Sequence, residues 1–363
     1  MLAENRVQIF EKTKEEILTD LLGAFKIKVD SVSLEEKEYF DIYDIKLKQG
    51  ERASKMDRAL RDLGVALLAH THPSGSTIMS DGIYRMHVQT GQIPSPSFSE
   101  IYESLNENHY IPITLGIDSH NNMLSLDLNK MPNILIGGTT GSGKSVLLHN
   151  FILSLIGKNS TIYLVDPKMV EFSHYKGAPS VEKIIHSVED AIDLIDEITE
   201  IMEERFTKLQ RAKVRSAKEY NEKFLKKSAI NPIVLVIDEW ADLTLQNKAI
   251  QKKLCLLAQK GRAAGISIVL ATQRPSANVI SGLIKANFPA RIALKVASAV
   301  DSRVILDSGG AEKISDIGTG LYLDATLSEP KLFRAPNIVD IDAELDKLGV
   351  RRRKSSFWSR FLF

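Results

Sequence analysis

Apolar residues recur along this chain with two different rhythms, and the change between them divides it. Up to about Leu105 the pattern is short and mixed. Apolar positions fall at helical spacing in Lys14–Phe25 and again in Ser54–Leu68, while Tyr39–Lys48 alternates, with Phe40, Ile42, Ile45 and Leu47 set among charged neighbours. Such a mixture predicts a small α+β module over residues 1–110. Gln92–Phe98, with Pro94 and Pro96, reads as a connector, and Ile111–Leu128 alternates as strands do. Further on come β-rich runs, Ile134–Ile136, Thr161–Val165, Ile233–Ile237, Ile266–Ala271, Ala290–Val296 and Thr319–Leu323, of which Ile233–Ile237 is uninterrupted and aliphatic throughout. Aliphatic runs without polar breaks belong to strands buried on both faces, so residues 111–339 are expected to form an α/β domain with a mostly parallel central sheet. Between these runs, Val188–Lys226 is long, charged and helical, carrying Ile192, Ile195, Ile198, Met202, Phe206 and Leu209 at helical spacing. It reads as a solvated face over a core stripe.

The first of these runs leads straight into Gly137-Gly138-Thr139-Thr140-Gly141-Ser142-Gly143-Lys144-Ser145 and then an apolar helical stretch. Strand, glycine-rich turn and helix in immediate succession is the order a phosphate cradle requires, and Gly138 to Ser145 meets the pattern G-x-x-x-x-G-K-[ST]. Glycines without a Cβ let backbone N–H groups converge on a phosphate, and the helix adds its partly positive N-terminus. On this reading Gly138, Thr139, Thr140, Gly141, Ser142, Gly143, Lys144 and Ser145 bind the nucleotide. Lys144 supplies a cation to the β/γ-phosphates, and the Ser145 hydroxyl is suited to ligate Mg²⁺.

Three later runs end in polar residues, which in a parallel sheet fall at the same edge as the nucleotide. Thr161–Val165 stops at Asp166-Pro167-Lys168. Ile233–Ile237 ends in Asp238-Glu239: Asp238 is the expected direct or indirect partner of Mg²⁺, and Glu239 can polarise the attacking water. Ile266–Ala271 ends in Thr272-Gln273-Arg274-Pro275, where the Gln273 amide could contact both the γ-phosphate and the lytic water. The fourth run carries Arg291 near its start.

Composition narrows the setting without choosing a partner. At 363 residues the chain suits two domains, one of them large, and 44% hydrophobic with 26% charged residues is ordinary for a globular protein. A formal net charge of +1 means that any polyanion must be held by a local basic surface. The lone cysteine, Cys255, can form no intramolecular disulfide, which fits a reducing cytoplasm. No signal peptide and no apolar run near bilayer length is found, so the sequence reads as soluble. His70-Thr71-His72-Pro73-Ser74-Gly75, followed by Ser80 and Asp81, resembles the JAMM-type zinc hydrolase signature, but Ile83 stands where that signature has its third ligand, and an ordinary turn is expected. Residues 340–363 end in a basic, aromatic tail, Arg351–Lys354 with Phe357, Trp358 and Phe361. It reads as a solvated segment, with single-strand stacking or membrane docking as alternatives.

Taken in order, Gly137–Ser145, Val165–Phe172, Val236–Leu243, Gly261–Ile266 and Ala271–Pro275 closely resemble the motor of the FtsK/SpoIIIE DNA translocases. Gly282–Asn287, Arg291, Asp301–Arg303 and Gly309–Lys313 extend the likeness, and Val29–Val88 more weakly resembles the α subdomain that precedes the RecA-like β subdomain in these motors. The resemblance implies a RecA-like P-loop NTPase that hydrolyses ATP with Mg²⁺ as a homohexameric ring and pulls duplex DNA through its pore. It also implies that Arg291 reaches a neighbour's γ-phosphate, the alternative being an ordinary strand-start arginine. Arg303 and Lys313 match the pore loops that hold the DNA backbone, with Gly309-Gly310 between them free to move.

Only 24 residues follow Val339, too few for the winged-helix domain of the chromosomal motors, and no membrane-spanning N-terminus is present. The expectation is a compact cytoplasmic motor of the plasmid, phage or integrative-element kind, working alone or beside a partner at the inner face of the membrane; an excised motor would read the same. Two other readings stand beside it: a conjugative coupling ATPase passing single-stranded DNA and a relaxase into a secretion channel, and a type VII protein-secretion ATPase, although three tandem motors are usual there.

Overall fold

The computed structural model describes residues 12–37, 40–67, 74–78, 82–91, 94–105, 108–118, 121–224 and 229–350. The tail at 351–363, and His70, His72, Ser80 and Asp81 of the zinc-like motif, lie outside the described residues. The chain falls into two compact units, Met1–Pro94 and Ser95–Phe363.

The small unit runs α1 (Lys14–Ala24), β1 (Val29–Glu36), β2 (Phe40–Leu47), α2 (Ala53–Ala66), β3 (Ser74–Ile78) and β4 (Ile83–Gln89). Its strands form an antiparallel sheet in the order β1-β2-β4-β3. A capping box starts α1: Thr13 accepts from the Glu16 N–H, and Glu16 reaches back to the Thr13 N–H. Leu18 and Leu22 of α1 and Met56, Leu60 and Leu63 of α2 then cover Tyr43, Ile45, Tyr84 and Met86 of the sheet. Along β2 the core face carries Tyr43 and Ile45, with the Tyr84 hydroxyl beside it bonded to Asp57 at 2.7 Å.

The large unit begins with α3 (Phe98–Glu103), β5 (Pro112–Asp118), β6 (Met123–Asp127), β7 (Asn133–Gly137), α4 (Lys144–Leu155), β8 (Thr161–Val165) and β9 (Val181–Ile185). It continues through α5 (Val188–Ala212), α6 (Ala217–Lys223), β10 (Ile233–Ile237), α7 (Trp240–Gln246), α8 (Ala249–Gly261) and β11 (Ile266–Thr272). It closes with α9 (Gly282–Asn287), β12 (Ala290–Leu294), α10 (Ala299–Leu306), β13 (Thr319–Leu323), β14 (Lys331–Arg334) and α11 (Ile341–Lys347). Ten strands make one sheet, ordered β6-β5-β14-β13-β12-β7-β11-β10-β8-β9. From β12 to β9 every pairing is parallel, and from β12 to β6 every pairing is antiparallel.

Both faces of the parallel half are covered, as the aliphatic run of β10 requires. Leu135, Leu235, Ile237, Ile268 and Leu270 point into a core formed with α5, α7 and α8. Their immediate neighbours Ile134, Ile136, Val234, Val236 and Val269 point the other way, against Leu148, Phe151 and Ile152 of α4. In the antiparallel half, β5 shifts register between Thr114 and Gly116, and the Gly116 φ of +121° suits glycine alone; a Cβ there would lie 1.9 Å from the Arg334 carbonyl oxygen.

The structure moves three expected boundaries. The division falls at Pro94, not near 110, because Phe98 and Ile101 of α3 pack into the large unit's core. At the other end Leu345 of α11 and Val350 join that core, so the unit continues past 339. The helical region from Val188 breaks at Lys213, which turns left-handed (φ +54°) between α5 and α6. Among the described residues no helix is long and apolar enough to cross a membrane.

Candidate active site

The carboxyl ends of the parallel strands make one continuous edge. Gly137 of β7 lies opposite Thr272 of β11, and Ile237 of β10 opposite Val165 of β8. Main-chain bonds extend this register by one residue: the Gly138 N–H donates to the Thr272 carbonyl at 3.3 Å and the Asp238 N–H to the Val165 carbonyl at 3.0 Å. Glycine loop, Asp166, Asp238 and Thr272 are thereby brought together by strand pairing alone.

The loop is stapled on both sides. Thr139 donates its N–H and hydroxyl to the Lys295 carbonyl, at 2.9 and 3.1 Å, and the Ser142 carbonyl accepts from the Gly318 N–H at 2.9 Å. Gly143 stands at φ +95°, and a Cβ on it would lie 2.8 Å from the Gly318 nitrogen, so both conformation and crowding demand glycine. Helix α4 then starts at Lys144 with no side chain capping it, leaving its first N–H groups facing the loop.

Charge is concentrated beneath the loop. The Lys144 ammonium, 3% exposed, forms an ion pair with the Asp238 carboxylate and donates to the Asp238 carbonyl at 2.9 Å. Burial pushes the Asp238 carboxyl up despite the opposing pull of Lys144. Glu239 is equally buried and turns the other way. Its Oε1 accepts from the Thr272 hydroxyl at 2.7 Å, and the Gln273 N–H lies 3.1 and 3.2 Å from its two oxygens. The Lys168 ammonium stands 3.6 Å from Glu239 and 3.8 Å from Asp242. Gln273 also spans the gap to the loop, its side-chain Oε1 accepting from the Thr140 hydroxyl at 3.0 Å.

Asp166 organises the neighbouring turn. Its carboxylate accepts the N–H groups of Lys168, Glu171 and Phe172, at 3.2, 2.9 and 3.1 Å. That turn delivers Glu171 to the start of α4, where it accepts from the Ser145 hydroxyl at 2.8 Å, with His149 Nε2 3.6 Å from its other oxygen. The His149 contact, aided by Ser145, holds the Glu171 carboxyl below the ordinary range against partial burial. No motif in the sequence singles out this pairing, because Ser145 lies on α4 after β7 and Glu171 in the turn after β8, and only the Asp166 turn brings them together.

Of the expected residues, the strand edge unites the loop, Lys144, Ser145, Asp238, Glu239 and Gln273. It does not include Arg291, which sits opposite Leu135, two residues short of the edge at Ala293 and Gly137. The Arg291 guanidinium is ion-paired with Asp307 and bonded to the Phe288 carbonyl at 3.3 Å. Arg303 on α10 and Lys313 in the turn after Gly310 are exposed, and neither is engaged in an ion pair among the described residues.

A nucleoside triphosphate fits this arrangement. Four buried side-chain atoms lack a hydrogen-bond partner among the described residues, and two of them, Ser142 Oγ and Asp238 Oδ2, lie here. With the uncapped helix they offer a donor-rich cradle beside an acidic floor, suited to phosphates and a divalent cation. Fold and site together define a P-loop nucleoside triphosphatase.

Residues 102–277 match the FtsK/SpoIIIE family. The DNA translocase FtsK of Lactococcus lactis subsp. cremoris is 35% identical over 318 residues, covering 83% of this chain and 42% of the relative. That of Streptococcus pyogenes serotype M6 is 34% identical over 344 residues, covering 90% of this chain and 43% of the relative. Residues 102–277 thus form an FtsK/SpoIIIE family domain, and the similarity to these relatives extends over most of the chain. It spans well under half the length of these relatives. In fold it is similar to the pCW3 conjugation coupling protein TcpA in its monomer form with ATPγS, at TM-score 0.65 and 24% identity, over 92% of this chain and 98% of that one.

Proposed function

We propose that this chain is an ATP-driven DNA translocase motor, acting as a homohexameric ring on duplex DNA. The observation that carries the reading is the meeting of Lys144, Asp238, Glu239 and Gln273 around the glycine loop within the FtsK/SpoIIIE domain.

Each residue then has a chemical task. The loop N–H groups and the α4 N-terminus bind the phosphates of ATP. Lys144 leaves Asp238 for the β/γ-phosphates, exchanging one anionic partner for another. Ser145 and Asp238 are the residues that would hold Mg²⁺, which when bound neutralises charge on the phosphates. Glu239 orients and polarises the attacking water, fixed for that task by Thr272 and by the Gln273 N–H. Gln273, bonded to both the loop and Glu239, reads the state of the γ-phosphate. Arg291 completes the pocket of an adjacent subunit, for which its planar fork suits a transferring phosphoryl group better than an ammonium would. Arg303 and Lys313 hold the DNA backbone, which positions the duplex without reading bases.

The test is the ATPase rate of the protein with duplex DNA, with single-stranded DNA and with no nucleic acid. Stimulation by duplex above both other conditions supports the motor. Stimulation by single strands alone points to a coupling ATPase, and indifference to both nucleic acids sinks the DNA reading.

A further inference from the structure

The strand edge contains an acid that the preceding reading leaves idle. Glu171 stands at the start of α4, its Oε1 accepting the Ser145 hydroxyl proton at 2.8 Å while its other oxygen faces His149 Nε2 at 3.6 Å. His149 is in turn fixed through Nδ1 by the hydroxyl of the fully buried Tyr175 at 2.9 Å. From behind, the Asp166 carboxylate clamps the N–H groups of Glu171 and Phe172. Four side chains therefore fix where one carboxylate points.

A serine hydroxyl has one proton and two lone pairs. It can present a lone pair to a cation only when its proton is directed elsewhere, and an anionic acceptor both directs it and makes the oxygen a better donor. Of the other acids beneath the loop, Asp238 has an oxygen committed to Lys144 and Glu239 is bonded to Thr272 and the Gln273 N–H. Glu171 is the acid bonded to Ser145.

We infer that Glu171 is a positioning residue for the divalent cation: by holding the Ser145 proton it turns the hydroxyl oxygen toward Mg²⁺, with His149 and Tyr175 as its support. The inference rests on the nucleotide-site reading above and adds to it a residue that does not itself touch the metal. Partners of this kind typically set metal affinity by about tenfold to a hundredfold.

The test is a Mg²⁺ titration of a bound fluorescent ADP analogue, starting in EDTA, on the full chain. Glu171→Gln keeps the shape of the side chain and removes its charge. It is expected to leave Mg²⁺-free nucleotide affinity unchanged and to raise the Mg²⁺ midpoint at least about tenfold. In a Ser145→Ala background the same change should add nothing, since its route through the hydroxyl is gone. Should Glu171→Gln fold poorly, His149→Gln, which keeps the carboxylate but removes its support, is expected to raise the midpoint by a smaller factor. An unchanged midpoint in whichever variant folds, or full additivity with Ser145→Ala, overturns the inference. If the wild-type chain itself shows no Mg²⁺-dependent tightening, it is the nucleotide-site reading that has failed.

Discussion

Around Lys144 the side chains close on one another, whereas around Arg291, Arg303 and Lys313 they face outward or rest on local partners. In the first region Lys144 is bonded to Asp238, and the next residue, Glu239, is bonded to Thr272 and Gln273, which in turn reaches Thr140, all within one chain. In the second, Arg291 shares Asp307 with Lys285, and Asp307 is held ionised by those two cations against its own partial burial. Arg303 and Lys313 lie exposed. The contrast separates what a single subunit completes, a nucleotide cradle with its acid and base, from what the proposed function asks of a neighbour or of DNA.

Substitutions can break that division, beginning with the largest effect. Lys144→Ala should bring turnover to background and weaken nucleotide binding, and it also strands the Asp238 carboxylate in the interior, so a lower melting temperature should accompany the loss. Arg291→Ala should lower turnover by about a thousandfold if the guanidinium acts on a neighbour's phosphate. Mixing Arg291→Ala with Lys144→Ala protein should then restore some activity, since intact pockets meet intact arginines. No recovery at any ratio, in rings verified by native mass measurement, would return Arg291 to the structural role its Asp307 pairing describes.

Glu239→Gln should keep nucleotide affinity and lower turnover by about a hundredfold or more; a wild-type rate would remove Glu239 from the chemistry. Thr272→Val deletes one of the groups that hold Glu239 and should cost about tenfold in turnover with binding unchanged, a split read directly from steady-state kinetics. The smallest effects belong to Arg303→Ala and Lys313→Ala. Each should weaken all duplexes alike and lower the salt slope of binding by roughly one phosphate contact per engaged subunit. A loss confined to particular sequences would show base readout instead.

The same contrast explains what could be read from the sequence. The glycine loop is legible because its chemistry is consecutive, and Asp238-Glu239 and Gln273 because parallel strands bring every run to the same edge. Partner choice is not consecutive. That Asp238 faces Lys144 while its neighbour Glu239 faces Thr272 follows from alternation along the chain only once β10 is known to lie beside both β8 and β11. The role of Glu171 is hidden for the same reason, since its place beside Ser145 depends on the turn held by Asp166. The antiparallel half was legible only in pieces: Ile111–Leu128 alternates as β5 and β6 do, but nothing local says that β14 joins them to the parallel strands. The early boundary is not legible because Phe98 and Ile101, on a six-residue helix that follows a proline-rich stretch, carry no signal of which core they enter.

Main-chain contacts at two points link the two regions. Ser142 of the glycine loop accepts from the Gly318 N–H, and Gly318 stands five residues beyond Lys313. At its other end the same segment is held where the Val296 N–H meets the Ala311 carbonyl at 3.3 Å, next to the Lys295 carbonyl that receives Thr139. The stretch carrying Lys313 is thus slung between two points on the rim of the phosphate cradle, with Gly310 at φ +128° as its pivot. If Lys313 holds DNA as the proposed function has it, a displacement of the cradle by a fraction of an ångström would be delivered to that contact through a handful of peptide units. In such a machine the gearing between fuel and load is a short crank, and its stiffness, more than any long pathway through the core, would set how much of each hydrolysis event becomes movement.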